Sequence, residues 1–334
     1  MIDKESVAKI IQEKKILGNL PINIDKEKIY NICYVFDHGA VRGAGVSICS
    51  ICKNNPKKNI VFHALCSDLQ QNDIDKLKQI ALQYNTTIIL YFINKNANIL
   101  KNIVIATFPV TIWYRILLPY ILDCQKILYL DSDIINLKPL KELFQININD
   151  FCLMAVPDLE KTQNERITAL KLKTNTYFNS GVLMINISKW LNNDISNQIL
   201  NIARIYGNQL ILPDQDALNI AFQKNNSIFY LDKKFNRVAL WKEKNIKEKL
   251  DKTILLHFVQ TKPWQEAWLY EKRPYIENLY AQYEALSPWK GTPLEKKTKL
   301  SYHDKRKRAE FMFKQGNILK GLYWYKEYLK AKLQ

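Results

Sequence analysis

The chain has 334 residues, with 49 Lys+Arg against 32 Asp+Glu, a formal net charge of +17 at pH 7. At 47% hydrophobic and 24% charged, with nine glycines and eleven prolines, the composition excludes wholesale disorder and collagen-like or linker-rich architecture. The length suits one large α/β domain with an appendage, or two modest domains, and the charge calls for an anionic partner: nucleic acid, a phosphate-bearing small molecule or a membrane surface.

In chain order, Met1 to Lys15 mixes acids and bases with short apolar pairs. It has no continuous apolar run, so it is not a signal peptide, and it reads as a helix capped at Asp3 and stopped near Gly18. Apolar runs and amphipathic stretches then alternate. Strands are expected at Ile32–Phe36, Ile60–Cys66, Thr86–Phe92 and Ile127–Leu130, and helices at Gly43–Lys53, Asp68–Tyr84 and Val110–Leu122, the last ending near Pro119. Further strands are expected at Cys152–Val156, Val182–Ile187, Ile228–Leu231 and Thr253–Phe258. Fully apolar strands alternating with helices imply a mostly parallel sheet covered on both faces. After about Tyr270 the strand signals end, Ser287-Pro-Trp-Lys-Gly-Thr-Pro293 makes a turn-rich joint, and basic helical sequence takes over. No stretch approaches the roughly 20 apolar residues of a spanning helix.

From Glu295 to Gln334 there are twelve Lys/Arg and four acids, a local net of +8, interleaved with Phe311, Met312, Phe313, Leu322, Tyr323, Trp324 and Tyr325. Such a segment suits the surface of an anionic membrane, with Lys and Arg at the head groups and Trp, Tyr and Leu in the acyl boundary. The alternative is a helix that packs its apolar stripe on the chain itself. Six cysteines include Cys49-Ser-Ile-Cys52. No second pair follows at zinc-finger spacing, so buried, reduced thiols are expected.

Ligands of a doubly wound sheet collect at the carboxyl ends of its strands. Asp131 and Asp133 follow the apolar strand Ile127–Leu130 two residues apart, so both carboxylates can meet one hard cation. Asp37 follows Ile32–Phe36 and precedes a glycine-containing turn suited to a nucleotide base or ribose, although no GxGxxG fingerprint is present. His257, at the end of another apolar run, can join carboxylates around Mn²⁺, and Lys262 can neutralise a phosphate oxygen. Nucleic acid is not expected as the partner, because no groove-reading helix or stacking platform is recognisable.

Several ordered motifs resemble those of the retaining glycosyltransferases of family 8, the glycogenin and lipopolysaccharide type. They are Tyr114-Arg-Ile-Leu-Leu-Pro119, Lys126-Ile-Leu-Tyr-Leu-Asp-Ser-Asp133, Tyr177-Phe-Asn-Ser-Gly-Val-Leu-Met-Ile-Asn186, Pro213-Asp-Gln-Asp216, Lys234-Phe-Asn236 and His257 to Trp264. The resemblance extends into the outer-core glucosyl- and galactosyltransferases through residues 287–293 and the basic tail. It implies a GT-A type nucleotide-sugar domain over 26–275, after an N-terminal helix over 1–25. A basic membrane- or acceptor-association region would then follow over 276–334. It also implies Mn²⁺ or Mg²⁺ held by Asp131, Asp133 and His257, bridging the diphosphate of a UDP-hexose. Asp37 would lie on the uridine side, Ser132 at the ribose and Lys262 at the diphosphate. Arg115, Asn179, Ser180 and Asp214 would hold the donor, and Gln215 would lie near the anomeric carbon on its β face. Gly39 and Ala40 stand where many relatives have Asn and an aromatic. The implied acceptor is the lipopolysaccharide core, met at the inner face of the cytoplasmic membrane. The alternatives are a capsular, glycogenin-like or protein acceptor, or a non-enzymatic basic binding protein.

Overall fold

At the centre lies β2 (Tyr30–Phe36), whose side chains alternate between two apolar layers. Cys33 and Val35 enter one core, and Ile32, Tyr34 and Phe36 the other. The computed structural model describes residues 1–21, 25–97, 100, 109–223, 227–239, 245–270, 276–296 and 300–333. Before β2 come α1 (Lys4–Ile10) and β1 (Ile11–Leu17), and after it α2 (Val41–Asn54), β3 (Ile60–Cys66), α3 (Gln71–Gln83) and β4 (Thr87–Ile93). Then follow α4 (Leu118–Ile121), β5 (Lys126–Leu130), β6 (Ile134–Asn136), α5 (Lys141–Gln145), β7 (Leu153–Pro157), α6 (Glu160–Leu170) and β8 (Phe178–Asn186). The remaining elements are α7 (Ile187–Asn192), α8 (Ile195–Tyr206), α9 (Pro213–Phe222), β9 (Ile228–Tyr230), β10 (Arg237–Val238), α10 (Ile246–Lys252), β11 (Leu255–His257), α11 (Glu277–Glu284), α12 (Tyr302–Lys314) and α13 (Ile318–Leu333).

Among the described residues, eight strands form one mixed sheet in the order β1-β4-β3-β2-β5-β8-β7-β9, and β10-β11-β6 form a small second one. The expected α/β fold is present, with a run of parallel pairs from β4 through β3 and β2 to β5. Beyond β5 the direction reverses. Strand β8 runs antiparallel to both β5 and β7, so its first residues and the last of β7 reach the same sheet end as the carboxyl ends of β2 and β5. That reversal positions the site.

Three local departures from expectation have physical causes. Asp3 does cap α1, accepting from Ser6 N at 2.7 Å, but the helix ends at Ile10 rather than near Gly18. Residues 11–17 instead become an edge strand antiparallel to β4, with Glu13 and Lys14 exposed and Lys15 half-buried, charges that discourage further edge pairing. The stretch Val110–Leu117 is a 3₁₀ helix. Pro119 cannot donate to the Arg115 carbonyl, and the Leu118 N–H takes it at i−3. Strands β6 and β10 are three and two residues long, below the length at which a period shows. The cysteines are unpaired, four buried and Cys52 and Cys124 half-buried.

The expected boundary just after Tyr270 falls on residues 271–275, outside the described residues, whereas the turn-rich joint at 287–293 is present. Beyond it, Arg42 of α2 is buried and reaches the C-terminal part of the chain. Its Nε donates to Glu284 Oε1 at 2.8 Å, and its two terminal nitrogens donate to the carbonyls of Pro293 at 2.7 Å and Thr292 at 2.9 Å. Gly45 lies so close to Trp289 that a Cβ there would stand 2.2 Å from the indole. Ser301 and Asp304 form a capping box on α12, and Gly316 at φ +72° turns the chain back into α13. α12 packs on residues 266–270 through the Arg308–Glu266 ion pair at 2.5 Å and the Phe311–Tyr270 ring contact. α13 leaves Ile318, Leu319, Leu322 and Tyr323 exposed. No helix among the described residues is long and apolar enough to cross a membrane.

Candidate active site

A cleft of about 560 Å³ opens at the sheet end where β2 and β5 finish and β8 begins. All eleven residues singled out in the sequence line it: Asp37, Arg115, Asp131, Ser132, Asp133, Asn179, Ser180, Asp214, Gln215, His257 and Lys262. Asp131 is held in place by Gly181, whose carbonyl accepts the Asp131 N–H at 2.8 Å.

Asp131, Asp133 and His257 each offer a ligand atom within 4.8 Å of the others. His257 Nε2 lies 3.2 Å from Asp133 Oδ1 and 3.8 Å from Asp131 Oδ2. Its other ring nitrogen faces Asn236 Oδ1 at 3.0 Å, a carbonyl oxygen that can only accept, so Nδ1 carries the proton and Nε2 is left for the carboxylate pair. Two carboxylate oxygens and one imidazole nitrogen form a donor set suited to Mn²⁺ or Mg²⁺. Gly181 is required beside this triad: a Cβ there would stand 2.3 Å from His257 Cε1.

The charges are closely coupled. Burial pushes the Asp133 carboxyl up, but Lys262 and His257 override it and hold it well below the usual carboxylate range. Burial lowers the affinity of His257 for a proton, and Asp133 reverses that, leaving its pKa raised. The Lys262 ammonium pairs directly with Asp133 Oδ2. Arg115 sits under the floor, with Nη2 3.1 Å from Asp131 Oδ1, Nη1 3.0 Å from Asp214 Oδ2 and 2.9 Å from the Ser180 carbonyl. Burial raises the Asp214 carboxyl, with Arg115 opposing.

Opposite the carboxylates, Gln215 is tied at both ends of its amide. Oε1 accepts from Ser180 N at 2.9 Å, and Nε2 donates to Asp158 Oδ2 at 2.9 Å and to the Tyr177 hydroxyl at 3.2 Å. Asp158 also accepts from Asn179 Nδ2 at 3.1 Å. Asp158 and Asn236 were missed by sequence reasoning. Asp158 obeys the rule that exposed Asp37 and Asp131, a polar residue directly after an apolar strand. Asn236 sat within a quoted motif without an assigned role.

A sheet covered on both faces, with a carboxylate pair, an imidazole and a lysine gathered in a cleft at its strand ends, is a GT-A type fold. The chain belongs to glycosyl transferase family 8: residues 31–267 match that family, and residues 276–332 match the family 8 C-terminal region. It is 29% identical over 323 residues to a lipopolysaccharide 1,2-glucosyltransferase of Escherichia coli, covering 92% of each chain. It is 30% identical over 345 residues to a lipopolysaccharide 1,3-galactosyltransferase of Salmonella typhimurium, covering 97% of this chain and 98% of that one. The fold is that of the galactosyltransferase LgtC, solved with donor and acceptor sugar analogs, at a TM-score of 0.65 and 22% identity over 78% of this chain and 99% of that one.

Proposed function

We propose that the protein transfers glucose or galactose from a UDP donor to the lipopolysaccharide core, with retention at the anomeric carbon. The observation that supports this most strongly is the convergence of Asp131, Asp133 and His257 beside Lys262 in a cleft of a family 8 chain, together with the names of its full-length relatives. A divalent cation held by the three ligands would neutralise diphosphate charge as the bond to the sugar breaks. Lys262 leaves Asp133 to meet a diphosphate oxygen, Asp37 faces the uridine and Ser132 the ribose. Arg115, Asn179, Ser180 and Asp214 hold and orient the sugar.

Gln215 is an amide and a poor nucleophile, so transfer proceeds on one face of the sugar. The C1–O bond to the β-phosphate breaks, the acceptor oxygen bonds to C1 from the same side, and its proton passes to the leaving phosphate oxygen. Asp214, paired with Arg115, is the alternative nucleophile, and a glycosylated Asp214 peptide would establish it. Residues 26–275 are assigned to this chemistry. Residues 276–334 are assigned to the acceptor and the inner membrane surface, supported by the +8 charge of the tail and the exposed apolar face of α13. The deciding assay offers a panel of UDP-sugars with core-truncated lipopolysaccharides of defined structure. Transfer that EDTA stops and Mn²⁺ restores is expected, and metal-independent transfer would refute the assignment.

A further inference from the structure

Behind the cleft, the hydrogen bonds of four buried or nearly buried residues converge on Asp216, from Arg166 on one side and from Gln215 through Tyr177 on the other. Arg166, a donor only, grips Asp216 through two bonds, Nε to Oδ1 at 3.0 Å and Nη2 to Oδ2 at 2.7 Å. Asp216 is fully buried, and its Oδ2 also accepts the Leu212 N–H at 3.0 Å. Its carboxylate accepts everything offered to it, so the Tyr177 hydroxyl, 2.6 Å from Oδ1, donates its proton there. Burial and the neighbouring Asp216 push the Tyr177 phenol far up, so that proton stays on the oxygen. With its proton committed, the Tyr177 oxygen accepts, and the donor it faces is Gln215 Nε2 at 3.2 Å.

We propose that Tyr177, oriented by Asp216 and Arg166, is a positioning residue that fixes which end of the Gln215 amide faces the cleft. Both amide hydrogens are consumed, one by Tyr177 and one by Asp158. The amide is therefore locked with Oε1 on the side of Ser180, which lines the cleft. A rotated amide would set Oε1 against two acceptors, the Tyr177 oxygen and the Asp158 carboxylate, and Nε2 against the Ser180 N–H donor. An oxygen held rigidly at that place stabilises positive charge as it grows on the anomeric carbon, and costs no reorganisation during reaction. Asp216 is thereby assigned to orientation rather than to attack on the sugar: both of its oxygens are filled and its side chain has no exposure.

The catalytic consequence rests on the proposed glycosyl transfer, whereas the orientation of the amide does not, and the test reads them separately. In the full-length protein, Tyr177→Phe removes one hydroxyl from a ring that otherwise stays packed. Expected are a kcat lower by about ten-fold and a donor KM within about two-fold of the parent. Asp216→Asn is expected to lower kcat as well, and the double variant to be no worse than the poorer single one, because both act through one chain of bonds. The second reading is the side-chain NH₂ resonance of Gln215, assigned by its loss in Gln215→Ala. It should be protected from hydrogen exchange in the parent and lose protection in Tyr177→Phe. A Tyr177→Phe protein with parental kcat, additive losses in the double variant, or unchanged protection of the amide would each overturn the proposal. A parent protein that turns over no UDP-hexose would defeat the glycosyl-transfer reading, and the amide measurement would still decide the role of Tyr177.

Discussion

Asn236 accepts the Nδ1–H of His257 at 3.0 Å, and this one bond leaves Nε2 free beside Asp131 and Asp133. Asn236 is itself anchored, its Nδ2 donating to Asn179 Oδ1 at 2.8 Å. Removing the anchor with Asn236→Ala frees both the tautomer and the ring angle. Mn²⁺ affinity measured by calorimetry should fall by roughly 10- to 100-fold, the usual effect of losing an outer partner of a ligating histidine. Unchanged affinity would mean that the imidazole is positioned by packing alone.

Gly181 tests the same triad sterically. Gly181→Ala places a methyl 2.3 Å from His257 Cε1 and 3.0 Å from Asn179 Oδ1, and both of those side chains are packed in place. The imidazole must move, so Mn²⁺ binding should weaken by about ten-fold or more while the far-ultraviolet circular dichroism stays that of the parent. Parental Mn²⁺ affinity would show that the triad tolerates the shift.

His63 predicts a pH dependence of stability unrelated to the cleft. It is buried in β3, and burial first, then Lys14, lowers its pKa from 6.5 to about 4. The unfolded chain therefore binds a proton before the folded one does. The neutral imidazole's contribution is intact above pH 6.5 and is lost as the pH falls towards 4, by roughly 3 kcal/mol at most. In urea titrations, His63→Gln should flatten that part of the pH profile. A variant that retains the full slope would assign it to other groups.

Arg42→Met removes the donor to Glu284 and to the carbonyls of Thr292 and Pro293. A half-buried carboxylate and two carbonyls lose their charged donor, so the protein should lose about 2 kcal/mol of stability in denaturant unfolding. A loss below about 1 kcal/mol would show that the carbonyls find other donors.

The paired substitution Leu319→Glu with Leu322→Glu changes two exposed positions of α13, at 82% and 55% exposure, and leaves the packed side of the hairpin alone. Binding to vesicles containing anionic lipid should drop at least ten-fold, since each leucine contributes roughly 1.5–3 kcal/mol when it enters an apolar phase. UDP-sugar hydrolysis should be unchanged. Equal vesicle binding would return the tail to an ordinary solvated face.

The parts of the molecule visible in the sequence were those written in a local code. Strands β2, β3 and β5 are apolar runs with a polar residue directly after them, and that code alone led to Asp37, Asp131 and Asp133. Strand β1 was hidden because Gln12-Glu-Lys-Lys15 has no period of two and follows a well-capped helix. Its pairing with β4, distant in the chain, decides its shape. The Tyr177–Asp216 contact spans 39 residues and leaves no spacing to read. Arg42 did leave a trace: a lone cation in the otherwise apolar Val41-Arg-Gly-Ala-Gly-Val46 calls for a buried partner, although nothing local says where that partner lies.

The Arg42–Glu284 pair joins residues 242 positions apart. On the ribosome, α2 is complete while its clamp is still unmade, and the strands of the sheet have all been synthesised before Glu284 emerges. Glu295, just past the clamp, donates its N–H to the Trp264 carbonyl at 2.9 Å, and that segment borders Lys262. The Trp264 segment beside Lys262 is thus tied down by residues made after the whole sheet. A nascent chain that already holds Asp37, Asp131 and Asp133 lacks the Arg42 clamp until residues 284–293 have been made.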